Sequence, residues 1–60
     1  MDASLAEGLD LVAAYGAPAQ QGEALRLTRV LAHAPDDAPA IAAARQLIDA
    51  YLHDPYLERG

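Results

Sequence analysis

Sixty residues make one domain at most, and nine Leu, two Ile, two Val, one Met and three Tyr beside fifteen Ala, with no Phe or Trp, leave little bulk for its core. Nine carboxylates against four arginines and no lysine give a net charge of −5, which argues against an autonomous grip on a nucleic-acid backbone or an anionic membrane surface. Cysteine is absent, so neither disulfides nor thiolate metal sites are available, and no stretch approaches the roughly 20 apolar residues of a membrane span.

The first predicted element is a helix over residues 4–15. Ser4 and Glu7 have the Ser-x-x-Glu spacing of a capping box, with Asp2 just ahead. Leu5, Leu9, Leu11, Val12 and Tyr15 then recur on one apolar arc at about 100° per residue, with Glu7 and Asp10 opposite. Gly16 and Pro18 supply the stop. Gly8, in mid-helix, costs up to about 1 kcal/mol relative to Ala, so close approach by a neighbouring helix is expected there.

The second predicted helix runs over 18–34. Pro18 suits a first-turn position, and Pro35 forces the end. Ala24, Leu27, Val30, Leu31 and Ala34 share one face, while Gly22, Arg26, Arg29 and His33 share the other. Leu25 falls off the apolar face and is expected to be exposed.

The third helix is predicted over 37–53. Asp36 or Asp37 caps it, and Pro39 falls in the first turn, where its missing N–H does little harm. Ala40, Ile41, Ala44, Leu47, Ile48, Tyr51 and Leu52 make a broad apolar arc, with Ala42, Arg45, Gln46, Asp49 and His53 opposite. Asp54-Pro55 repeats the cap-then-proline signal, and Tyr56 and Leu57 follow on a short final turn. Nothing alternates with period two, so no sheet is expected. The expected fold is an all-α, small antiparallel three-helix bundle forming a single domain over 1–60, with a homodimer as an open alternative.

The polar residues offer little chemistry. His33 and His53 are the only imidazoles, and antiparallel helices place them at opposite ends, each in a last helical turn where the dipole favours positive charge. Asp49 and His53 are four apart and would make half a metal site, and Asp36 with Asp37 would suit a hard cation. Ser4 and Thr28 are the only hydroxyls besides the tyrosines, and neither has a His–acid pair nearby in sequence. No phosphate-binding loop, dinucleotide fingerprint, zincin motif, EF-hand or nucleophile elbow occurs. Tyr15 and Tyr51 are expected in the core, whereas Tyr56 either folds back or anchors another chain.

From Ala24 to Leu52 the chain resembles the junction between tetratricopeptide repeats, with a helix ending Ala-x-x-Pro, acidic residues, then an Ala-rich helix. Glu23, Val30 and Arg45 depart from that pattern at positions where small residues are usual, and 60 residues fall short of the three or so repeats a solenoid needs. The resemblance implies at most a helix-hairpin interaction module.

These features lead to an expected function by protein–protein contact, as an adaptor, co-chaperone, inhibitor or regulatory subunit, with no catalysis and no cofactor. The expected partner is another protein or a second copy, neither nucleic acid nor membrane, in the cytoplasm. Leu25, Tyr56 and Leu57 are the expected contacts, with Arg26 and Arg29 at their rim. The alternative is a helical accessory protein binding a small ligand or metal through His53 and Asp49, or through Asp36 and Asp37.

Overall fold

The computed structural model describes residues 3–53. Three α-helices follow in order: α1 over Ala3–Tyr15, α2 over Pro18–His33 and α3 over Ala38–Leu52. All three pack on one another as a small antiparallel three-helix bundle, without a strand among the described residues. Each boundary lies within one residue of its expected place. The chief shift is at the start, where α1 already includes Ala3, so Ser4 lies inside the first turn rather than at the cap.

The two connections are built from local chemistry. After α1, the Gly16 N–H still donates to the Val12 carbonyl at 2.8 Å. A side chain there has no room, because a Cβ on Gly16 would come within 2.6 Å of that carbonyl oxygen. The glycine is needed for space, since none of the described glycines has positive φ. The start of α2 is held by half of a capping box: the Ala17 N–H donates to Gln20 Oε1 at 2.9 Å, while alanine has no side-chain oxygen to answer. Gln21 Nε2 reaches back to the Ala14 carbonyl at 3.3 Å and ties the two helices at the turn.

Between α2 and α3, Asp37 is the cap in preference to Asp36. Its Oδ1 accepts from the Ala40 N–H at 3.2 Å, its carbonyl accepts from the Ile41 N–H at 2.9 Å, and its own N–H donates to the Ala34 carbonyl at 3.1 Å. Pro39 stands in the first turn, as its missing donor allows.

The core comprises Leu5, Leu9 and Val12 from α1, Ala24, Leu27 and Leu31 from α2, and Ala40, Ala44 and Tyr51 from α3. No polar or charged residue is buried among the described residues. Tyr51 is in the core as expected. Tyr15 is not: it is 72% exposed, and Leu11 and Leu52, also assigned to apolar arcs, are 47% and 58% exposed. The reason is angular. Leu11 stands about 100° round the axis from Val12, and a helix with only two neighbours buries a narrower arc than its apolar residues cover.

Gly8 is buried where α3 crosses α1. A Cβ at this position would lie 2.5 Å from Ile48 Cδ1 and 2.9 Å from Ile48 Cγ1. The expected close approach is therefore real, and Ile48 is the residue that makes it.

Candidate functional site

The polar residues singled out by sequence are mostly spent on helix ends. Thr28 Oγ1 donates to the Ala24 carbonyl of its own helix at 2.8 Å. His33 closes α2 and is exposed. His53 caps α3: its Nδ1 donates to the Asp49 carbonyl at 2.8 Å and lies 3.3 Å from Asp49 Oδ1. Both contacts run through the same ring nitrogen, which is turned to the α3 backbone and to Asp49 of its own helix. Ligands of one metal would instead aim lone pairs at a common point. No group of three or more His, Cys, Asp or Glu residues gathers to hold a metal among the described residues. Asp37 is engaged as a cap, with Asp36 exposed beside it.

The expected contact residues on α2 are all exposed. Leu25 is 57% exposed, as anticipated from its place on the wheel, and Arg29 is exposed one turn further on. Arg26 is paired with Glu23 on its own helix, its Nε donating to Glu23 Oε1 at 2.5 Å. It borders a different feature, a shallow depression of about 210 Å³ between α2 and α3, with Leu27, Val30, Asp37, Pro39 and Ala40. Tyr56 and Leu57 lie outside the described residues.

A second surface lies on the side shared by α1 and α3. On α1, Ser4, Gly8, Leu11 and Tyr15 are spaced i, i+4, i+7, i+11 and so share one face. On α3, Ile41, Arg45, Ile48 and Leu52 have the same spacing. The two faces meet where Ile48 lies over Gly8. Beside that crossing is a groove of about 270 Å³ lined by Ser4, Leu5, Arg45, Ile48, Asp49 and Leu52. Among the described residues, three of the four exposed large apolar side chains, Leu11, Tyr15 and Leu52, belong to these two stripes. The repeated spacing was legible in the sequence. That α3 leaves part of each stripe uncovered was not.

This surface combines three apolar residues, Leu5, Ile48 and Leu52, with Ser4, Arg45 and Asp49. It is open, and its volume falls just below the range of about 300–1,000 Å³ typical of small-molecule pockets. Its shape offers open contact area in place of an enclosed pocket, with one charge of each sign beside it. Among the described residues, no helix is long and apolar enough to cross a membrane. Compared with family models, curated proteins and solved structures, the chain matches none.

Proposed function

We propose that this chain is a small helical protein–protein interaction module without catalysis of its own, and that it docks through the α1/α3 face. One observation carries the reading: Leu11, Tyr15 and Leu52 stand exposed on two facing stripes beside a shallow apolar groove. Apolar surface gathered in this way is the mark of a contact surface, whereas a single exposed residue such as Leu25 needs no partner. The non-catalytic part rests on how the polar groups are used, with Thr28 turned to the backbone inside its own helix and Asp37 and His53 to the backbone at helix ends. An acidic chain of net charge −5 suits a protein partner better than a polyanion. The cytoplasm, where small proteins do without disulfides, is the proposed setting for a cysteine-free chain.

The missing cysteines make the test clean. A single cysteine placed at position 11 or 52, carrying a photocrosslinker, should form an adduct with one defined protein chain in the native host cell. The same reagent on a cysteine at position 36 should form none. The purified partner should then bind the unmodified chain and lose its affinity for Leu52→Glu. No adduct at either position, or binding indifferent to Leu52→Glu, would sink the reading.

A further inference from the structure

We infer that the occupant of the α1/α3 face is a second copy of this chain, packed across a twofold axis near Ile48 with α3 against α3. The inference rests on the reading of this face as a docking surface and adds the identity of what docks.

Charge carries it. A molecule at −5 repels its own copies wherever acids cluster. The α1 stripe of Ser4, Gly8, Leu11 and Tyr15 carries no charge, and Glu7 and Asp10 point about 100° or more away from Gly8. On α3 the groove brings in one cation, Arg45, and one anion, Asp49. The remaining acids among the described residues lie on α2 and in the connection after it, at Glu23, Asp36 and Asp37. This face is therefore locally neutral within an acidic molecule.

It is also self-complementary. In a twofold contact, residue i meets residue j while j meets i. Arg45 and Asp49 are one turn apart on α3, with Ile48 between them along the groove. Two antiparallel α3 helices would set Arg45 of each copy opposite Asp49 of the other, twice, with Ile48 near the axis and Leu52 flanking the pairs on either side. Arg45 is available for this, because it makes no ion pair within its own chain among the described residues. Among the described residues the Asp49 carboxylate meets His53, in an exposed contact that is ionic only when the imidazole is protonated.

The test is sedimentation velocity with light scattering on the purified chain over rising concentration. A monomer–dimer equilibrium is expected. Arg45→Asp should weaken it by roughly tenfold or more through like-charge contact, and Arg45→Asp with Asp49→Arg should restore it by exchanging the signs. Arg29→Asp changes net charge by the same amount on α2 and should leave the equilibrium nearly unmoved. Leu52→Glu should abolish the dimer while the helical circular dichroism persists. A monomer at every concentration overturns the inference, as does a dimer indifferent to both Arg45→Asp and Leu52→Glu. A monomer that still crosslinks to a different protein through position 52 removes the second copy and leaves the docking reading standing.

Discussion

Gly8 and Asp37 are residues whose identity follows from their surroundings, the first from packing and the second from capping. Alanine at position 8 would gain up to about 1 kcal/mol of helix propensity. Against that, its Cβ would lie 2.5 Å from Ile48 Cδ1, and the branched side chain of Ile48 also holds Cγ1 at 2.9 Å and Cγ2 at 3.2 Å. Overpacking of this kind costs about 1–3 kcal/mol, so Gly8→Ala should be net destabilising by about 1 kcal/mol in urea titrations. Ile48→Val removes the nearest atom, and the double variant should lose less stability than the sum of the two single changes. Strict additivity would mean that α3 does not bear on Gly8. Asp37→Ala should cost about 1 kcal/mol by orphaning the Ala40 N–H, whereas Asp37→Asn, which keeps an acceptor oxygen, should cost a few tenths. Equal losses in the two variants would refute the capping role.

The three helices differ in what they bring to the core. Helices α1 and α2 supply its largest fully buried side chains, Leu9, Val12, Leu27 and Leu31. Helix α3 contributes Ala40 and Ala44, which let its backbone lie close, together with Tyr51 and the partly buried Ile48. The larger apolar residues of α3 are thus displaced towards its flanks, and Leu52 is left in solvent. Gly22 on α2 has no such reason: a Cβ there would meet nothing within 4 Å. Gly22→Ala should therefore stabilise the protein by up to about 1 kcal/mol through helix propensity, visible as a higher unfolding midpoint at unchanged denaturant sensitivity. A loss of stability would show that the outer face of α2 is already covered by something. The ends of the helices were read from sequence to within a residue because caps and prolines act over three or four positions. The widths of the apolar arcs were misjudged because burial depends on how many neighbours a helix has.

For the whole molecule, the described residues hold four large, fully buried side chains, and a chain of 60 residues is marginal as a lone fold. If the second copy docks as inferred, the thermal midpoint should rise with protein concentration, and it should become concentration-independent in Leu52→Glu. A flat midpoint in both proteins would show that the isolated bundle is self-sufficient. The sequence alone determined the three helices, their turns, the capping at the Asp36–Asp37 pair, the acidic charge and the exposure of Leu25, since each follows from short-range spacing and side-chain chemistry. It also carried the paired stripes on α1 and α3, but as apolar periodicity without a destination. Only the tertiary structure decided that Ile48 lands on Gly8 and that Tyr15, Leu11 and Leu52 stay outside. Periodicity says which residues share a face; the angle and position at which a neighbouring helix crosses that face decide how much of it is covered.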